Sequence, residues 1–345
     1  MAGVLDALVG LGVSLPVLAA PMAGGPTSAE LVAAAARAGS LGFIAGGYKT
    51  AYELAAQVRA AREQTDRFGV NLFAPNPVPV NLAEYTSYRD RLGPEADRRK
   101  VAIPEVPVED DDLWHDKVDL LVSDPVPVVT FTFAIPERAA IDALRAAGSL
   151  LVQTVTSPEE AARAADAGLD ALIVQGWAAG GHSGTLNPSK PPVRRSLAEL
   201  VGRVRDRVQL PIIAAGGLDT RQRVSEVIAA GAEVAAVGTA LLLATEAGTS
   251  TPYRAALARP DPGPTVLTRA FTGRPARAIP NAFVRAHHEH APIGYPALHH
   301  LTSPLRRAAA AAHDPEGISL WAGENYRSTR PGPVSVILEE LASDL

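Results

Sequence analysis

Short apolar runs rich in β-branched residues alternate with longer, alanine-rich amphipathic stretches between about residue 17 and about residue 247. That is the pattern of βα units on a parallel sheet. Eight runs read as strands: 17–20, 41–44, 68–72, 126–131, 150–155, 171–174, 211–215 and 235–238. Helical periodicity follows most of them, over 28–38, 52–62, 137–147, 158–167, 196–208 and 220–230. Local signals agree with these bounds. Ser157 stands as an N-cap before Pro158, and Gly39, Gly168 and Gly231 stand just past helix ends, where a left-handed residue closes the last turn. Eight parallel strands with crossover helices predict an α/β fold, a TIM (β/α)8 barrel. A doubly wound open sheet is the alternative, but the glycine fingerprint it wants after the first strand is missing.

Two regions break the repeat. Residues 74–124 are rich in proline and charge, with an acidic run from Glu109 to Asp112, and read as an excursion from the barrel carrying one or two helices. Consecutive carboxylates point in different directions, so we assign that run to a solvated surface or helix start. After about Thr249 the pattern changes again. We therefore expect residues 1–248 to form the barrel and 249–345 a small cap or lid over its mouth.

Composition narrows the chemistry. The 345 residues carry a formal charge of −5, with no basic footprint for nucleic acid and no attraction to an anionic membrane. Cysteine is absent, which removes disulfides, thiolate metal sites and cysteine nucleophiles. No lysine or arginine precedes the first apolar residues, and no apolar run is long enough to cross a bilayer, so we expect a soluble, cytoplasmic protein. The cluster His287, His288, Glu289 and His290 is the nearest approach to a metal site, but adjacent histidines rarely converge on one ion. We expect it to be surface or cap packing, and no metal.

TIM-barrel sites lie at the C-terminal ends of the strands, with phosphate bound after the seventh and eighth. Here those ends read Ala214-Ala215-Gly216-Gly217 and Val237-Gly238-Thr239, small residues that expose backbone N–H groups, each expected to lead into a helix N-terminus. The other strand ends bring Pro21, Met22 and Ala23, then Asn71, Gln153, Thr154 and Gln175. Neutral hydrogen-bonding groups beside an apolar, sulfur-bearing surface suit a planar heterocycle such as a flavin. Behind the sixth strand lies Gly180-Gly181-His182, a flexible pair followed by a residue able to exchange protons near neutral pH.

In order, these landmarks resemble the nitronate monooxygenases, formerly called 2-nitropropane dioxygenases. The resemblance covers nearly the whole chain and includes the 268–277 and 320–323 segments. It implies an FMN-dependent oxidoreductase that uses O2 to convert an alkyl nitronate, and in some members a nitroalkane, to a carbonyl compound and nitrite. It further implies FMN phosphate on Gly216, Gly217, Gly238 and Thr239, with Pro21, Met22, Ala23, Asn71, Thr154, Gln175, Gly180 and Gly181 around the ring and ribityl chain, and Ala215 also binding the cofactor. His182 falls on the family's catalytic histidine. Two positions depart from the pattern: Ala178 replaces a glutamate common among relatives, and Thr154 a lysine. An NAD(P)H-dependent FMN reductase of the enoyl-acyl-carrier-protein type and a non-catalytic flavin-binding protein are the alternatives. Tyr295 and Tyr326 are candidate pocket residues, for which packing of the cap is the plainer expectation.

Overall fold

The computed structural model describes residues 4–190, 192–260 and 263–343. Eleven strands occur among them: β1 (Val17–Ala19), β2 (Gly42–Ala45), β3 (Phe68–Phe73), β4 (Val128–Thr132), β5 (Leu150–Val155), β6 (Ala171–Gln175), β7 (Gly181–His182), β8 (Ile212–Ala215), β9 (Val234–Val237), β10 (Val266–Thr268) and β11 (Ala276–Ala278). Eight of them close a parallel barrel in the order β1-β2-β3-β4-β5-β6-β8-β9. The seam is sealed where Val17 lies opposite Ala235 and Ala19 opposite Val237.

Period-two alternation explains why each strand serves two cores. Leu18, Ile173, Ile213 and Ala236 point into the barrel and pack with Phe43, Val128 and Val152. Their neighbours Val17, Leu172, Val174, Ile212 and Ala235 point outward, against helix residues such as Leu31, Val201 and Val224. Burial on both faces is why the strands read as continuous apolar runs.

The helices follow the capping chemistry. Ala29–Arg37 begins at Ser28, whose hydroxyl accepts from Leu31 N, and Ala51–Arg62 begins with a capping box between Thr50 and Glu53. Pro158–Asp166 begins at Ser157, and Gly39, Gly168 and Gly231 all take left-handed φ. Strand and helix bounds lie within one to three residues of those expected, with most helices slightly shorter.

The interruptions are organised differently from the expectation. The excursion contains two helices with separate destinations. Trp114–Ser123 packs beside Ala51–Arg62 and Arg138–Ala146, as the barrel helix belonging to β3. Leu82–Arg99 packs instead on Ala297–Ala311 of the C-terminal segment, so the cap is built from both interruptions. The C-terminal segment is likewise divided. Its last helix, Val334–Ala342, leaves the mouth and fills the ring position between Ala29–Arg37 and Arg221–Ala229, because Val334, Ile337, Leu338 and Leu341 form an apolar stripe. Unforeseen in the sequence is a small antiparallel sheet, β10-β11-β7, that ties the glycine-histidine loop to the cap. No helix among the described residues is long and apolar enough to cross a membrane.

Candidate active site

At the C-terminal end of the barrel lies a cavity of about 460 Å³. Most of the strand-end residues singled out in the sequence line it. Pro21, Met22 and Ala23 come from the loop after β1, Asn71 from β3, Thr154 from β5 and Gln175 from β6. Gly180, Gly181 and His182 follow on the next loop, Ala215, Gly216 and Gly217 come after β8, and Gly238 and Thr239 after β9. Gln153, one residue from Thr154, is fully buried outside the lining and donates to Thr154 O at 3.0 Å.

Backbone proximity explains the glycines at one end. Gly216 has φ +108, and a Cβ on it would stand 2.8 Å from Ala179 Cβ, so the loops after β6 and β8 are in direct contact. A Cβ on Gly180 would stand 2.5 Å from Gly323 N, so the C-terminal tail also lies against that loop. The tail laces three loops together: Gly323 N donates to Thr239 Oγ1 at 3.0 Å, Glu324 N to Ala178 O at 3.0 Å, and Asn325 Nδ2 to Gly217 O at 2.8 Å. Gly323, Asn325 and Ser328 consequently line the same end of the cavity. The sequence signalled the segment but not this lacing. The loop after β8 leads into Arg221–Ala229, as expected, but β9 is followed only by a 3-10 turn, Thr239–Leu241. The helix-dipole argument therefore holds at one of the two loops. Nearby Asp219 is balanced by Arg223 Nη1 at 2.5 Å and Asn325 Nδ2 at 3.0 Å.

Gln175 spends both ends of its amide on the histidine loop. Its Nε2 donates to His182 O at 3.1 Å, and its Oε1 accepts from Gly184 N at 2.7 Å. Pairing of His182 with Ala276 across β7 and β11 holds the same loop from the other side. The imidazole is thus fixed before any ligand arrives.

The His182 ring adjoins the rings of Trp321 at 5.2 Å and Phe133 at 5.8 Å, and its Nε2 lies 2.9 Å from Thr272 Oγ1. The Thr272 hydroxyl also lies 3.4 Å from Arg274 O, so it bridges the imidazole to the backbone just ahead of β11. Burial, reinforced by the charges of Arg274 and Arg306, pushes the histidine down to about 3. At neutral pH it is an uncharged imidazole.

Several cavity residues carried no sequence signal that we used. Tyr48, Phe73, Phe133, Ser303 and Arg306 all line the wall, beside Thr272 and Trp321 of the two C-terminal segments. Tyr48 follows a glycine pair at the end of β2, which is the clue that was available. Its N–H donates to Asp112 Oδ1 at 2.9 Å, so the acidic run treated as solvated surface reaches the mouth; Asp112 in turn pairs with the buried Lys117 at 2.7 Å. Tyr295 packs with Phe73 and Phe133 in a buried aromatic cluster, and Tyr326 is buried with its hydroxyl donating to Gly263 O at 2.7 Å. Both act in packing. At the departure Ala178, a carboxylate stands close by after all: Glu324 accepts from Trp177 Nε1 at 2.9 Å and pairs with Arg277 at 3.4 Å, away from His182.

Fold and site together define an α/β barrel enzyme whose mouth is prepared for a large ligand beside one neutral histidine. Comparison with known proteins gives the family. The nitronate monooxygenase family model matches residues 7–344, and the chain belongs to that family of flavin-dependent oxidoreductases. A probable nitronate monooxygenase of Staphylococcus aureus (strain Newman) is 33% identical over 339 residues, covering 97% of this chain and 95% of the relative. Among solved structures, a nitroalkane oxidase from Streptomyces ansochromogenes is 43% identical with a TM-score of 0.93, covering 98% of this chain and 97% of that one. FabK from Thermotoga maritima is more distant, at 26% identity and a TM-score of 0.75, over 99% and 95% of the two chains.

Proposed function

We propose that the chain binds FMN in this cavity and oxidises alkyl nitronates with O2, giving a carbonyl compound and nitrite, with His182 as the proton-handling residue. The observation that carries the reading is convergence: the strand-end residues and His182 line a single cavity. The site also suits FMN chemically. Left-handed Gly216 and Gly217 expose backbone N–H groups beside Gly238 and Thr239, and Asp219 is already neutralised, so a phosphate meets donors and no free carboxylate. Asn71 spends its amide N–H on Thr130 and Thr132, leaving Oδ1 as an acceptor at the cavity wall. When bound, FMN supplies the electron acceptor and passes the electrons on to O2.

The protein's own residues manage charge and protons. Phe133, Trp321 and Tyr48 exclude water around the imidazole. For a nitroalkane, neutral His182 removes the α-proton; for a nitronate, already deprotonated, it needs only to hydrogen-bond the anion.

Anaerobic mixing tests the assignment. The flavin absorbance of the FMN-loaded protein should bleach with an alkyl nitronate and stay unchanged with NADPH. Rapid bleaching by NADPH alone would instead establish the reductase activity found in more distant barrel relatives, and silence toward both reagents would leave a binding protein.

A further inference from the structure

The cap helix Ala297–Ala311 carries Ser303, Arg306 and Ala310 on one face, three or four residues apart, and this face lines the cavity. Arg306 has no carboxylate partner among the described residues. Its Nε donates to Thr302 Oγ1 at 3.3 Å, its Nη2 to His299 O at 3.0 Å and lies 3.2 Å from His299 Nδ1, and its Nη1 donates to nothing among those residues. Burial pulls the guanidinium down to about 10, which still leaves it charged at neutral pH. Arg306 is only half-buried at the cavity wall, and a cation there without a counter-ion is completed by an anion that enters.

The surroundings hold that cation in place. The His299 ring stacks on Tyr48 at 4.1 Å with 2° between the planes, and Tyr48 is held by Asp112, itself held by Lys117. The acidic run of the excursion and one histidine of the cap thus converge behind one guanidinium. Arg274, nearby and fully buried, also leaves its Nη1 without a partner among the described residues but faces away from the cavity. It lies 3.9 Å over the Phe133 ring, donates to the carbonyls of Ser183 and Thr185, and stands outside the cavity lining. Arg307 lines the rim but is solvent-exposed.

We infer that Arg306 binds the anionic oxygens of the substrate. This rests on the function proposed above and names the residue that recognises the anion. Neutral His182 supplies no charge, so recognition of the anion falls to the cap.

The test uses FMN-loaded enzyme, with propyl-2-nitronate as substrate and nitrate as an unreactive planar anion whose Kd is read from the flavin spectrum. Arg306→Gln should raise both the nitronate KM and the nitrate Kd by roughly 10- to 100-fold, with a smaller change in kcat, and Arg306→Lys should recover most of the loss. Values within about twofold of wild type in Arg306→Gln would overturn the assignment. Should Arg306→Gln lose its flavin, wild type still decides: nitrate must bind at least about tenfold more tightly than neutral nitromethane, and equal affinity overturns the assignment. If wild type fails to oxidise nitronates, the proposed reaction falls, while nitrate binding that Arg306→Gln abolishes would keep the anion site.

Discussion

The barrel and the cap are built on opposite principles. The barrel reaches its stability through repetition: strands buried on both faces, helices started by Ser28, Thr50 and Ser157, and a ring closed by a helix from the far end of the chain. It gives the cavity backbone groups and small side chains. The cap is assembled from Leu82–Arg99, Ala297–Ala311 and the tail, and it encloses titratable groups, the half-buried His299 and Arg306 among them. The difference teaches a division of labour. The barrel offers a surface fitted to a large, flat ligand, while the cap and the loop pinned to it supply charge and proton chemistry. Variants in the two regions should therefore fail in different ways.

The largest effect should come from His182→Asn, at the junction of the regions. Removing a positioned base costs roughly 10²- to 10⁴-fold, so turnover of a neutral nitroalkane should fall by that much while flavin content holds. Oxidation of a pre-formed nitronate should suffer less, since no carbon proton is removed. Steady-state kinetics on both substrates checks this, and full activity on the nitroalkane would exclude the base role.

Next in size is the ion pair behind Tyr48. Lys117 is 1% exposed, and Lys117→Met strands Asp112 in a site that already raises its carboxyl to about 6. Breaking such a pair costs about 3–5 kcal/mol, whereas Asp112→Asn combined with Lys117→Met should restore most of it. Urea unfolding of the two variants measures the difference. Equal losses would mean that the pair matters through its shape rather than its charge.

How much of this was legible in the sequence follows the same division. Eight strands, their order and the strand-end residues were readable because alternation, caps and glycine stops are local signals. The shifts of a residue or so arose where ladder pairing, rather than composition, sets an end, as at β9. The cap was not readable. Asp112 meets Tyr48 across 64 positions, and Leu82–Arg99 meets a helix some 200 residues later; neither has a periodic signature. Arg306 sits in an ordinary amphipathic helix, and only the absence of a neighbouring carboxylate in space marks it out. The return of Val334–Ala342 to the ring was hidden because its apolar stripe fits a cap as well as a barrel.

Acidity should act on the cap before the barrel. Burial holds His182 at about 3 and His299 well below its ordinary 6.5, and lowers His287 as well. Below pH 6.5 the unfolded chain binds protons that the folded chain refuses, so stability falls as pH falls. Each fully buried histidine contributes about 1.4 kcal/mol per pH unit. Asp112 works in reverse below about 6, because its folded carboxyl takes up a proton before its unfolded one does, and this offsets part of the loss. Unfolding followed at pH 7.5 and 5.5 should show a net loss on the acid side, and a gain would contradict the neutral burial of the histidines. His182 itself should leave no ionisation in kcat/KM for nitronates between pH 5 and 9.

The smallest effect sharpens the comparison from the barrel side. Ser157 Oγ accepts from Glu160 N at 3.2 Å at the start of Pro158–Asp166, and Ser157→Ala removes a cap worth about 1 kcal/mol. Its neighbour Glu160 keeps its own bonds to Thr156, Thr185 and Leu186, so the loop behind His182 remains tied. The midpoint in urea should drop slightly, while KM, kcat and flavin content stay at wild-type values. The repeating barrel spreads such a loss over many equivalent contacts. A loss of flavin from this variant would show instead that the barrel and the cap fail as one unit.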